Sequence, residues 1–110
     1  MHWATFFIST GRCGTQWLAF HLQQHMADTA VVEHEPLQHY APSHQLQDSE
    51  EAAGDEVADT REHLERIEHI LTQHDYIECG WPCWRALTYI QQRLQGRVRF
   101  VFLTRHPIPV

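Results

Sequence analysis

The feature that most constrains this chain is an apolar segment that runs through a glycine-containing turn directly into an amphipathic helix. It covers residues 6–18 and reads Phe-Phe-Ile-Ser-Thr-Gly-Arg-Cys-Gly-Thr-Gln-Trp-Leu. A strand that leads at once into a helix points backbone N–H groups and the positive end of the helix dipole at one spot, which suits a bound phosphate or sulfate. The sequence therefore predicts an anion site at this turn.

Individual residues of the turn have matching chemistry. Gly11 and Gly14 allow the backbone to curl around an anion, because no Cβ stands in the way. Arg12 adds a planar set of donors that is always charged, and the hydroxyl of Thr15 is placed to reach the same oxygens.

Two common nucleotide-binding motifs are excluded by residue type and spacing. All eight basic residues are arginines, so the chain lacks the lysine of the G-x-x-x-x-G-K-[ST] loop of P-loop kinases and NTPases. The turn has the spacing G-x-x-G, which differs from the G-x-G-x-x-G of Rossmann dehydrogenases. We therefore expect a phosphate-bearing or sulfate-bearing ligand that is bound by neither of these two motifs.

Length and composition indicate one folded domain. The chain has 110 residues, of which 43% are hydrophobic and four are tryptophan, so it can bury a core. Its net charge of −6 argues against nucleic acid or an anionic membrane as a partner. No signal peptide or membrane anchor is visible, and the three cysteines form no C-x-x-C pair. We expect a cytoplasmic protein that binds neither nucleic acid nor membrane.

Strand and helix signals alternate along the chain. Apolar and β-branched runs predict strands over residues 3–9, 29–33, 75–79 and 98–104. Helical periodicity predicts helices over residues 15–26, 56–74 and 82–95, the last ending at a Gly96 cap. The stretch 34–59, with six acids from Asp48 to Asp59, is interpreted as a loop or lid that is partly helical at best.

This alternation predicts an α/β fold, with a mostly parallel sheet of about four strands flanked by helices. Ligands of such sheets bind beyond the carboxyl ends of the strands. Four polar segments directly follow predicted strands, and we expect them to gather at one edge: residues 10–14, 33–36, 79–81 and 105–107.

Two motifs near opposite ends of the chain resemble those of one enzyme family. The turn at residues 9–17 is similar to the 5′-phosphosulfate loop of sulfotransferases that use 3′-phosphoadenosine 5′-phosphosulfate (PAPS). Residues 102–107, Phe-Leu-Thr-Arg-His-Pro, resemble the start of their 3′-phosphate motif, a strand that ends in Arg-x-Pro. The resemblance implies a three-layer, P-loop NTPase-like domain. It also implies transfer of a sulfuryl group from PAPS, without a metal, to a hydroxyl or amine of a small-molecule or carbohydrate acceptor.

The resemblance implies roles for individual residues as well. Glu35-Pro36 resembles the Glu-Pro after the second strand of some carbohydrate sulfotransferases, so Glu35 is the candidate base, with His34 and Glu33 as alternates. Arg12 would stabilise charge on the transferring group, and Arg105 would bind the 3′-phosphate. The 5′-phosphosulfate would be held by Gly11, Arg12, Cys13, Gly14, Thr15 and Gln16.

The family pattern extends beyond the last residue of this chain. It continues past Arg-x-Pro to a serine and to a late basic, glycine-rich loop, whereas the chain ends at Val110. We therefore expect residues 1–110 to form the N-terminal part of a single sulfotransferase-like domain, truncated at its C-terminus. Two hypotheses stay open: an active sulfotransferase, or a catalytically incomplete fragment that at most binds the nucleotide. An open edge at the last strand would allow self-association.

Histidine and cysteine residues outside the turn have simpler interpretations. His21 and His25 are spaced as a zinc pair would be, but no third ligand stands at a suitable spacing, so we predict surface histidines and no metal. Cys79 and Cys83 are interpreted as two buried thiols, with a disulfide or redox pair as the alternative.

Overall fold

The computed structural model describes residues 2–9, 14–48 and 54–103. The strands are β1 (Ala4–Ser9), β2 (Ala30–His34), β3 (Asp75–Gly80) and β4 (Val98–Leu103). The helices are α1 (Thr15–Met26), α2 (Ser43–Asp48), α3 (Asp55–Ile70) and α4 (Leu87–Leu94), and a 3₁₀ turn at Pro82–Ala86 leads into α4. No helix within the described ranges is long and apolar enough to cross a bilayer.

The strands form one sheet in which every pair is parallel. Their order is β2-β3-β1-β4, so β3 and β1 lie in the centre. The register pairs Ile8 with Gly80 and Ser9 with Leu103, and it pairs His34 with Cys79. All strands therefore end together at one side of the sheet, which is called the carboxyl edge below. The predicted α/β fold with a parallel sheet flanked by helices is confirmed.

Helices cover both faces of the sheet. One face packs against α1 through Leu18, Leu22 and Met26, which form the stripe that helical periodicity predicts. The other face packs against α2, α3 and α4. Leu64 and Ile67 of α3 are fully buried there, and each such side chain contributes about 1.5–3 kcal/mol to stability.

The helices that follow the two central strands pack on opposite faces of the sheet. The chain enters α1 after β1, whereas it enters the 3₁₀ turn and α4 after β3. Because β1 and β3 are neighbours, the carboxyl ends of these two strands form a topological switch point, which is called the crevice below. This is the position at which open α/β sheets bind ligands.

The predicted helix boundaries are less accurate than the predicted strand ends: the helix predicted from residue 82 begins with a 3₁₀ turn, and α4 starts at Leu87. The stretch 34–59 contains α2 and the start of α3, because Leu46 and Val57 are buried in the core. Helix α3 ends at Ile70 rather than at residue 74, and the cap of α4 is Gln95 rather than Gly96. The predicted strand ends are correct to within one residue. Part of the acidic stretch, residues 49–53, lies outside the described residues.

A carboxylate lies buried in the middle of β3. Glu78 is only 2% exposed. Its Oε1 accepts hydrogen bonds from His63 Nε2 at 2.8 Å and from the Tyr76 hydroxyl at 2.7 Å, and its Oε2 accepts one from Tyr40. Arg66 donates to His63 Nδ1 at 3.2 Å, which assigns the ring proton of His63 to Nε2. These donors replace the water that the carboxylate loses on burial.

This network anchors the connection that follows β2. Tyr40 ties that connection to Glu78, and the backbone N–H of Ala41 donates to Thr60 Oγ1 at 2.9 Å. Burial and the charge of Glu78 raise the pKa of Tyr40 far above its ordinary value, so its hydroxyl remains a donor. The connection from residue 35 to residue 41 is therefore held by β2 at one end and by the buried network at the other.

We expect Tyr40→Phe to lower the free energy of unfolding by about 1–3 kcal/mol, because it leaves a buried carboxylate oxygen without a donor. Urea denaturation followed by circular dichroism measures the change. The matched control is Tyr89→Phe, which removes a half-buried hydroxyl that accepts from Arg93 at 3.0 Å and should change stability by less than about 0.5 kcal/mol. Equal losses in the two variants would contradict the anchoring role of Tyr40.

Candidate functional site

The first turn of α1 directs backbone donors toward the carboxyl edge. Gly14 is its N-cap, with φ 78° and ψ 23°, a left-handed conformation that glycine adopts without a Cβ clash. The Gly14 carbonyl accepts the first helical hydrogen bond, from Leu18 N–H at 2.9 Å. The N–H groups between these two residues have no acceptor within the helix, and Gly14 has no side chain to cap them. This terminus has the donors and the dipole that an anion site needs.

The described residues include only part of the predicted anion site. Gly14, Thr15 and Gln16 begin α1 at the position that the sequence predicts, and the Gln16 side chain is exposed. The other predicted ligands of the nucleotide lie outside the described residues: Gly11, Arg12, Cys13 and Arg105.

The hydroxyl of Thr15 meets the ring of His34. Thr15 Oγ1 and His34 Nε2 are 3.3 Å apart, which joins the first residue of α1 to the last residue of β2. Thr15 is 8% exposed, and His34 is half-buried. Side chains alternate along a strand, so His34 faces α1 while its neighbour Glu33 faces α3. The sequence alone marks His34 only as an alternate base.

Glu35 leaves β2 and crosses the end of β3. Its backbone has φ 44°, a left-handed conformation that is strained for a residue other than glycine, and its N–H donates to the Cys79 carbonyl at 2.9 Å. Its side chain lies over Gly80: a Cβ on Gly80 would be 2.5 Å from Glu35 Cγ and 3.5 Å from Glu35 Oε1. The carboxyl group is therefore held at the end of β3, the strand that borders the crevice.

Glu33 is committed to the opposite face of the sheet. It accepts a hydrogen bond from Arg66, and its Oε1 lies 2.7 Å from the Tyr76 hydroxyl, whose single proton is shared between Glu33 and Glu78. Burial by itself would raise the pKa of Glu33, but the contacts with Arg66 and Tyr76 hold the pKa below its ordinary value. Glu33 is therefore ionised at neutral pH and already paired with a cation.

Cysteines and histidines of the described ranges offer neither a nucleophile nor a metal site. Cys79 and Cys83 are buried free thiols, as predicted. Burial raises the pKa of both thiols, that of Cys79 to about 11, so both stay protonated. The expectation that histidines lie at the surface is wrong for His63, which is 5% exposed and hydrogen-bonded to Glu78. Within residues 2–9, 14–48 and 54–103 no three His, Cys, Asp or Glu side chains converge as metal ligands would.

Comparisons of the chain with protein-family models, with curated proteins and with solved structures find no match. The geometry of the carboxyl edge and the two motifs therefore carry the functional inference.

We expect Gly80→Ala to lower the free energy of unfolding by about 1–3 kcal/mol, because the new Cβ would overlap the Glu35 side chain. In a Glu35→Ala background the obstructing atoms are absent, so the same substitution should be clearly less destabilising. A double-mutant cycle measured by urea denaturation gives the coupling. The backbone penalty of alanine at position 80 is common to both backgrounds and cancels. Additive effects of the two substitutions would show that the side chain does not cross Gly80 in solution.

Proposed function

We propose that this chain binds PAPS at the carboxyl edge and transfers its sulfuryl group to a hydroxyl or amine acceptor, with Glu35 as the base. The observation that supports this most is the position of Glu35. Its carboxyl group lies over Gly80 at the end of β3, and the neighbouring strand β1 leads into the turn that resembles a 5′-phosphosulfate loop. A proton acceptor and a helix N-terminus for the donor nucleotide therefore share one edge. A P-loop NTPase-like identity of the α/β fold belongs to the same proposal.

The donor nucleotide has anionic groups at both sides of its ribose. The 5′-phosphosulfate binds the turn from Gly11 to Gln16 through backbone N–H groups, the Thr15 hydroxyl and the Arg12 guanidinium. The 3′-phosphate binds Arg105. Since the chain has a net charge of −6, these local donors, and not the overall field, hold the anion.

The transfer needs one proton acceptor and stabilisation of charge. The acceptor oxygen or nitrogen attacks sulfur, the bond between sulfur and the bridging phosphate oxygen breaks, and adenosine 3′,5′-bisphosphate leaves. Glu35 takes the proton of the acceptor. Arg12 and the N-terminus of α1 offset the negative charge that develops on the leaving phosphate. As in phosphoryl transfer, the protein contributes positioning and electrostatics rather than a covalent intermediate.

Glu35 suits the role of base better than the two alternates. Glu33 is paired with Arg66 and faces α3, and His34 contacts Thr15. The half-buried carboxyl group of Glu35 has no hydrogen-bond or ion-pair partner among the residues that the structure describes. It is therefore available to accept a proton.

A cavity that begins one residue beyond Glu35 offers room for the acceptor. Its volume is about 250 Å³, and its lining combines charged, imidazole and apolar groups: Pro36, Leu37, Asp59, Glu62, His63 and Arg66. Four of these six residues are polar or charged, which favours a hydroxyl-bearing or amine-bearing small molecule or carbohydrate over an apolar ligand.

Adenosine 3′,5′-bisphosphate, the product of the transfer, should bind and raise the melting temperature. Arg12→Ala should weaken its binding about tenfold or more, because a charge-assisted hydrogen bond is lost. The matched control is Arg99→Ala. This exposed arginine stacks over Trp3, 4.4 Å from the ring centroid, and it lies near the amino end of β4, away from the carboxyl edge. Calorimetric titration measures both variants. Tighter binding of ATP–Mg²⁺ than of the bisphosphate would contradict the assignment of PAPS.

Sulfate transfer from radiolabelled PAPS to a panel of sugars, phenols and amines tests the reaction itself. Glu35→Gln should lower kcat by about 10²–10⁴-fold, because the base is removed while the shape is kept, and should leave bisphosphate affinity unchanged. Glu65→Gln, which alters an exposed carboxylate of α3, is the control and should keep full activity. Bisphosphate binding without transfer to any acceptor would contradict the transferase activity and leave only nucleotide binding.

A further inference from the structure

We propose that His34 is a positioning residue. Its Nε2–H donates a hydrogen bond to Thr15 Oγ1, and this turns the proton of the Thr15 hydroxyl toward the bound anion. The inference rests on the proposed function, because it concerns the same anion site. It assigns to His34 a role other than that of an alternate base.

The argument starts from the single proton of a threonine hydroxyl. At 3.3 Å, either Thr15 O–H donates to His34 Nε2, or Nε2–H donates to Thr15 Oγ1. In the first arrangement the only proton of the hydroxyl is used within the protein. In the second, the oxygen accepts from His34 and its proton is free to point at a ligand. A phosphate or sulfate oxygen only accepts, so a bound anion selects the second arrangement.

Neighbouring contacts hold β2 and α1 together close to His34 and Thr15. His34 belongs to the sheet, in register with Cys79. Gln23 of α1 donates to the Val32 carbonyl at 2.9 Å, which ties the helix to β2 close to its end. Thr15 is 8% exposed, and among the residues that the structure describes its hydroxyl contacts His34.

The donated proton does not depend on the charge of the ring. Nε2 carries a proton both in one neutral tautomer and in the imidazolium form. The chain contains no lysine, so neutral donors and arginines share the work of anion binding. A hydroxyl held in the donating orientation adds one such neutral donor at the N-terminus of α1.

Two substitutions of His34 separate this role from simple filling of space. A glutamine amide nitrogen reaches the position of Nε2, whereas an asparagine amide nitrogen reaches only the position of Nδ1. We expect His34→Gln to bind adenosine 3′,5′-bisphosphate and inorganic pyrophosphate within about threefold of the unaltered chain. His34→Asn and Thr15→Val should each weaken both ligands about tenfold, and the double variant should bind no more weakly than Thr15→Val alone.

Calorimetry with both ligands distinguishes the possible failures. Full affinity in His34→Asn, or additive losses in the double variant, would overturn the role of His34 and leave the proposed function standing. Binding of pyrophosphate without binding of the bisphosphate would overturn the proposed function, while the variants would still decide the role of His34 with pyrophosphate. Binding of neither ligand would overturn both.

A measurement on the unaltered chain avoids any effect of substitution on folding. Histidine ring ¹⁵N chemical shifts report which nitrogen carries the proton. Saturation with pyrophosphate should leave His34 Nε2 protonated, and an unprotonated Nε2 in the complex would overturn the inference.

Discussion

The buried carboxylate of Glu78 is the constraint on which the rest of the structure depends. A carboxylate that is 2% exposed is tolerated only when donors replace its water. Here the donors come from three elements: His63 of α3, Tyr76 of β3 and Tyr40 of the connection after β2. The helix, the sheet and the connection must therefore be in place together. Because the loss of any donor leaves charge in an apolar interior, the network favours this one arrangement over its competitors.

The candidate site depends on this network through Tyr40, which holds the connection after β2. Glu35 has a left-handed backbone and a side chain laid over Gly80, a conformation that persists only when the chain is fixed on both sides of it. Its backbone hydrogen bond to Cys79 fixes one side, and Tyr40 fixes the other. The energy that stabilises the core thus holds the strained backbone of Glu35, and with it the carboxyl group, at the carboxyl edge beside β3.

Local patterns made much of the fold predictable. Strand ends and the bounds of α1 follow from apolar runs and helical periodicity, which act over a few neighbouring residues. The burial of His63 was not predictable, because it lies among charged residues of α3 and its environment is set by Glu78, which lies 15 positions further along the chain. Helix α2 was not predicted for a similar reason. Its sequence is polar apart from Leu46, and that side chain is buried only by residues from other parts of the chain.

The sequence by itself determined the succession of strands and helices, and it determined which donor groups stand in the turn before α1, because both depend on residue types at short spacing. Only the tertiary structure decided which strands are neighbours and which face each side chain meets. The contact between Thr15 and His34 spans 19 positions, and the path of Glu35 over Gly80 requires β2 to pair with β3 in one register. Such choices are made by long-range strand pairing and by the burial of one charge, and neither is encoded in any local pattern of the chain.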